Sequence, residues 1–391
     1  MPPSLNGLPN EILYLILDHL SCTPPPSFTR IHAPPSLDIT RSAVCDLKSF
    51  ARTSFRFAEL MRPLLFAHSC CDVTQVEQFL SFINKFELQR YVSSIVVTAR
   101  ASDGEDLGDD ASWWCRLLTE LNPLRLTFLA APTIIGQATA TQITDGHSWA
   151  FDIPYQILHL EQDPNPRHQP KPTLDGTCPS LLHARSWTSI CFNEASSLKA
   201  YHHYEYYHHR VPSIFETWGN PNNTPSHIYI PITHIHDPHK RHLHRAFENV
   251  THFRYTAVFP FYNHIRVVLD VMRALMPNLQ SLTVQLAPDR NNRVIENEQR
   301  GSLDPNDPWM EVAQSYSFIA HMVRDLAASG GNLVRFQACD FDIEALRANV
   351  SAIVEEVLPW TEWRHDGRGI WTVIKTDENK GQLQPGNDLS I

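Results

Sequence analysis

Apolar residues in LPNEILYLILDHL, residues 8–20, fall on two neighbouring stripes of one helix. Ile12, Ile16 and Leu20 recur a turn apart, while Leu13, Leu17 and Leu20 line the adjoining stripe, with Leu15 to the side. Together they make an apolar arc well over about 100° wide, broader than a helix leaning on one core requires. The pattern then stops. SCTPPPSFTRIHAPPSLDITRS holds five prolines and no helical period. It reads as a loop with too little apolar matter to pack alone, looped out on the surface. Residues 46–66, DLKSFARTSFRFAELMRPLLF, resume a helical pattern. Leu47, Phe50, Ala51, Phe57 and Leu60 share a face there, with Asp46 as N-cap and Pro63 as the limit. A third helix is expected over 73–86, where Val73, Val76, Phe79, Leu80 and Ile83 follow a cap at Asp72.

From there short strand-like runs alternate with longer helices. RYVSSIVVTA, PLRLTFLAA, VTHFRYTAVF, NLQSLTVQLA and NLVRFQACDF read as strands, and 109–121, 263–276, 309–328 and 342–357 as helices. The strands share an apolar-x-x-apolar-x-apolar spacing. It is seen at Val92, Ile95 and Val97, again at Leu121, Leu124 and Leu126, and again at Val250, Phe253 and Tyr255. Leu279, Leu282 and Val284 repeat it, as do Leu333, Phe336 and Ala338. Centres at 95 and 124, and at 253 and 282, lie 29 residues apart. A leucine-rich-repeat period of roughly 20–29 residues, with one strand and one helical return per unit, fits this texture. The expected fold class is therefore α/β: a small all-α N-terminal module followed by an irregular leucine-rich-repeat-like solenoid. An ordinary α/β domain is the alternative, since 130–245 does not keep the period and the consensus asparagine is missing. The boundaries read as 1–68 for the helical module, with its Pro-rich insertion at 21–45, 69–375 for the repeat-like domain, and 376–391 for a polar, disordered tail.

Composition narrows the function. The chain has 391 residues, 42% apolar and 19% charged, with a net charge of −10. It has no concentrated Lys/Arg surface of the kind that phosphate backbones require, so no nucleic acid is expected as partner. No apolar run of about 18 residues and no signal-like start are present, so no membrane is expected and the compartment reads as cytoplasmic and/or nuclear. The eight scattered cysteines form no CxxC pair and no disulfide framework, and the sequons at Asn222, Asn249 and Asn349 read as accidental. With 14 glycines and no GxGxxG, Walker loop or GxSxG, neither a nucleotide cradle nor an activated nucleophile is expected.

Histidine is the remaining conspicuous chemistry: eleven of 21 fall between 202 and 252, ten of them within YHHYEYYHH and HIYIPITHIHDPHKRHLHR. His234-x-His236, or His239 with Asp237, offers zinc-type ligands, and Glu205 a carboxylate base. Yet there is no HExxH, and prolines and asparagines surround the cluster. The reading is therefore no metal, no cofactor and no catalysis. His202, His203, Tyr206, Tyr207, His234 and His236 are expected on a substrate-facing or structural loop instead.

The two N-terminal blocks resemble the F-box motif in the form seen in fungal F-box proteins. The matching positions are Leu8-Pro9, Glu11, Ile12, Ile16 and Leu20, then Asp46-Leu47, Phe50, Ala51, Thr53-Ser54, Arg56-Phe57 and Leu64-Leu65-Phe66. They cover about 35 residues in the right order. The resemblance implies a module that docks on the Skp adaptor and through it on a cullin–RING ubiquitin ligase. The rest of the chain would select an unidentified protein substrate. It implies adaptor contacts from Leu8, Pro9, Ile12, Leu13, Ile16, Leu20, Leu47 and Phe50. One departure stands out: Ser21 to Cys45 separate the blocks, where the family has only a few residues. An insertion of this kind costs little, because closure entropy grows logarithmically with loop length.

Overall fold

The computed structural model describes residues 5–20, 31–40, 45–100, 113–143, 146–163, 180–219, 244–289, 304–328 and 331–374. Helix α1 (Asn10–Leu20) begins the module, and Leu13 N donates to Pro9 O, so the proline carbonyl opens the helical ladder. The expected single run after residue 46 is in fact two helices, α2 (Cys45–Ala51) and α3 (Phe55–Phe66). Ser54 causes the break: its backbone is extended and its side chain accepts from Phe57 N at 3.2 Å, capping α3. Pro63 lies inside α3 rather than ending it, and Ala67 N closes the last turn onto Pro63 O.

Ala67 alone separates α3 from the first strand, so the module runs into the sheet without a linker. Ten strands are described: β1 (His68–Asp72), β2 (Ser94–Thr98), β3 (Arg125–Ala130), β4 (Gln156–Glu161), β5 (Ser189–Ser196), β6 (His252–Val258), β7 (Ser281–Gln285), β8 (Arg335–Ala338), β9 (Trp363–His365) and β10 (Ile370–Val373). They form one sheet in the order β1-β2-β3-β4-β5-β6-β7-β8-β10-β9. Pairing is parallel from β1 to β3 and from β5 to β8; β4 runs against both neighbours, and β10 and β9 close the far edge antiparallel. A mixed α/β fold with a large, mostly parallel sheet is thus the architecture.

The returning helices are α4 (Val76–Lys85), α5 (Trp113–Leu121), α6 (Pro132–Ala138), α7 (Tyr262–Leu275), α8 (Asp307–Ala328) and α9 (Glu344–Val357). Leu80, Leu117, Ile135, Met272, Tyr316 and Val354 from these helices share one core with Ile95, Phe128, Leu160, Phe192, Tyr255 and Val284 of the strands. Side chains alternate across a strand, so the intervening Val96, Thr127, His159, Cys191 and Arg254 point to the opposite face, away from these six helices.

Strand register corrects the repeat. Ile95 pairs with Leu126, 31 residues on, and not with Leu124; Phe253 pairs with Leu282 at 29; Leu282 pairs with Phe336 at 54. The inward positions recur, while their spacing does not.

Candidate functional site

Two surfaces command attention. The first is α1. Leu17 packs with Leu47 and Met61, flanked by Phe50, Ala51, Leu64 and Leu65. Leu13 is buried as well. On the other side Ile12 is 43% and Leu15 60% exposed, with Leu8 and Ile16 half-buried and Pro9 exposed. Leu13 and Leu47, each 1% exposed, therefore have no side-chain surface for a partner, which corrects their place among the expected adaptor contacts. They make the module's interior because their stripe is the one that meets α2 and α3. Phe50 is half-buried in a stack on Phe57, with ring centroids 4.4 Å apart. The Leu20 side chain lies outside the described residues. Arg56 locks the approach to α1: its guanidinium donates to the Asn6 and Leu8 carbonyls and to Asn10 Oδ1, fixing Leu8 and Pro9 ahead of the helix.

The second surface is the open face of the sheet. Register places His68, Arg125, Glu161, His252 and Arg335 in one row across it. His159 Nδ1 lies 2.7 Å from Thr127 Oγ1, and Nε2 lies 3.1 Å from Glu161. Burial and the Arg125 charge hold His68 below its ordinary pKa, and burial with Arg254 and Arg335 does the same to His252. Burial alone would raise Glu161; the bond and charge of His159, with Arg125 and Arg254, keep it below the usual carboxylate value. Arginines scattered in sequence thus converge here, which no linear pattern disclosed.

Part of this face is covered by residues 31–40 of the Pro-rich insertion, contrary to the surface loop expected. Ile31, fully buried, and Ile39 join Val96, Leu129, Ile157 and Cys191 in a second apolar cluster, with Leu37 and Tyr155 at its margin. The Asn193 amide donates to Ile31 O at 2.6 Å and to Ala33 O at 2.9 Å, and His32 Nδ1 meets Thr256 Oγ1 at 2.6 Å. Burial, then the nearby charges of Arg254 and His159, lower His32 to about 4, so it is neutral. The segment does not pack alone, as its composition forbids. It packs on the sheet.

The histidine-tyrosine loop is more structural than expected. Tyr206 is half-buried against Tyr201 and Phe261, at 4.6 and 5.3 Å between centroids, so it belongs to the core margin rather than to a substrate-facing surface. Tyr207 is exposed and His202 and His203 are half-buried. His203 packs edge-on to Trp149 at 4.7 Å, beside His147 and His209. His234 and His236 lie outside the described residues. Among the described residues, no group of three His, Cys, Asp or Glu side chains is placed to hold a metal ion.

Two buried polar clusters escaped the sequence reading. His264, on α7, sits between Glu194 at 2.7 Å and Glu216 at 2.8 Å, and Tyr255 and Ser213 both donate to Glu194. Burial alone would lower His264, but the two carboxylates raise it to about 10 and keep it an imidazolium. Asp340, just past β8, accepts from Leu286 N at 2.7 Å, Ala287 N at 3.0 Å and the Tyr316 hydroxyl at 2.5 Å. Burial lifts it to about 6 against those bonds. Both clusters lie on the helix side of the sheet: the first ties β5 and β6 to α7, and the second holds the residues after β7 against α8. Burial pushes the thiols of Cys71, Cys191 and Cys339 up to about 12, so they are protonated rather than nucleophilic.

No protein-family model, no curated protein and no solved structure matches this chain. Among the described residues no helix is long and apolar enough to cross a membrane.

Proposed function

We propose that the chain is the substrate-recognition subunit of a Skp–cullin–F-box ubiquitin ligase, docking on the Skp adaptor through α1 and holding a protein substrate on its sheet domain. One observation carries this reading: α1 spends only one of its two apolar stripes on its own module. Leu17 packs inward with Leu47, while Ile12 and Leu15 stay exposed beside half-buried Leu8 and Ile16. Burying a fully exposed aliphatic side chain contributes about 1.5–3 kcal/mol, and covering the part of these four still open would contribute a fraction of that from each. The sheet domain fits the same reading as an irregular leucine-rich-repeat-like solenoid. Its first eight strands follow chain order, helices α4 to α9 pack on one side, and the row from His68 to Arg335 on the other face carries charged and polar side chains.

The test is co-purification with the Skp adaptor, comparing the intact chain with a Leu8→Asp, Ile12→Asp double variant, both checked for fold by circular dichroism. Binding by the intact chain that disappears in the folded variant supports the reading. Failure of the intact, folded chain to bind overturns it.

A further inference from the structure

A half-open cavity of about 260 Å³ lies beside Ser196 and Val258, which pair at the carboxyl ends of β5 and β6. Ligands of α/β sheets bind outside the carboxyl ends of the strands. The backbone in its lining departs from regular geometry. β5 shifts register between Asn193 and Ser196, Ala195 stands at φ 70°, and Asp152 stands at φ 47°. Non-glycine residues held in the left-handed region cost the fold free energy and gather where ligands are clamped. Most of the lining is apolar: Phe151, Ile153, Pro154 and Val258, with Pro34 and Pro35 from the insertion. Tyr155 and Ser196 add two hydroxyl donors to it. Ser196 Oγ already accepts from Leu198 N at 3.2 Å, which leaves its hydrogen for another acceptor. The charge of the lining is balanced, because its acidic and basic side chains, Asp152 and Lys199, pair with each other. His32 is neutral, with Nδ1 engaged by Thr256. An ion entering here would leave water for a lining without a net counter-charge, which is costly. A neutral molecule meets no such penalty.

We propose that this cavity binds an uncharged small organic molecule, its aliphatic or aromatic body against Phe151 and the prolines and its carbonyl oxygen accepting from Tyr155 or Ser196. Apolar walls with a few placed polar groups are the usual make-up of small-molecule pockets. The site draws no residue from α1, so its test is separate from that of the adaptor reading.

The experiment titrates 4-phenylbutan-2-one onto the full chain, followed by saturation-transfer NMR. Two analogues, 3-phenylpropanoate and 3-phenylpropylammonium, keep the aromatic body and add a charge of either sign. A probe of this size binds in the millimolar range, so the ketone is expected to saturate wild type by about 10 mM. Each charged analogue should bind at least about five-fold more weakly. Ala33→Trp, which sets an indole in the lining, should abolish the ketone signal, with the fold checked by circular dichroism. A Tyr155→Phe, Ser196→Ala double variant should weaken ketone binding about three-fold or more. The proposal is overturned by a folded wild type that the ketone does not saturate, by charged analogues that bind as tightly, or by ketone binding that Ala33→Trp leaves unchanged. Should Ala33→Trp fail to fold, the hydroxyl double variant decides, since it removes only two oxygens; unchanged ketone affinity there overturns the proposal equally.

Discussion

Ile12 and Leu13 are consecutive on α1, yet one is 43% exposed and the other 1%. The helix separates two tasks by a 100° step, and substitution separates them too. Leu13→Ala is expected to destabilise the chain by about 2–5 kcal/mol, as a buried leucine truncation does. Ile12→Ala should stay within about 0.5 kcal/mol of wild type while weakening adaptor binding. Chemical denaturation and the adaptor pull-down read the two effects; a large stability loss in Ile12→Ala would make the exposed stripe structural.

Arg56 predicts a positioning effect. Its fork holds the Leu8 carbonyl at 2.8 Å and Asn10 Oδ1, so Arg56→Lys keeps the charge but not the geometry. The expected result is adaptor affinity reduced about ten-fold, or roughly 1.4 kcal/mol, with little change in melting temperature. Restored affinity in the reverse variant checks it.

Stability should also depend on alkaline pH through His264. Its value in the fold, about 10, lies above the ordinary 6.5, so its contribution is complete below pH 6.5 and is lost as pH rises towards 10. Melting temperature is expected to fall over that interval more steeply in wild type than in His264→Gln. The variant itself leaves Glu194 without its cation, while Glu216 keeps Arg210 at 3.9 Å, at about 3–5 kcal/mol. Parallel pH profiles for the two proteins would count against this role.

Asp340 gathers two backbone amides and a phenol in a dry interior. Asp340→Ala strands all three donors and should cost about 2–4 kcal/mol, whereas Tyr316→Phe removes one partner and should cost about 1–2 kcal/mol. Urea midpoints in that order are the expected measurement.

The parts legible in sequence were those with strong local periodicity. Helices α4, α5, α7, α8 and α9, and strands β2, β3, β6, β7 and β8, fall where apolar spacing places them. Strands β4 and β5 lie in the stretch where the period fails. There β4 reverses direction, and the step from Ile190 to its partner Phe253 stretches to 63 residues. β1, HSCCD, has no aliphatic residue to declare it, and β9, WRH, is too short for a pattern. The two stripes of α1 were readable, but which one faces inward was not, since that depends on where α2 and α3 lie. Pairings such as Glu194 with His264 join residues 70 apart, and only the fold brings them together.

The contact between Asn193 and Ile31 also has a timetable. The two residues are 162 positions apart, and at a synthesis rate of about 5–20 residues per second the later one follows by about 8–32 s. For the first part of that interval, before β2 to β4 are made, Ile31 and Ile39 have no sheet to cover. An uncovered aliphatic stretch invites pairing with whatever strand edge is near. Pro34 and Pro35, set between the two anchors, lack the amide hydrogens such pairing needs. The prolines that made this segment look like a mere spacer thus keep it unattached on the ribosome until its own strands arrive.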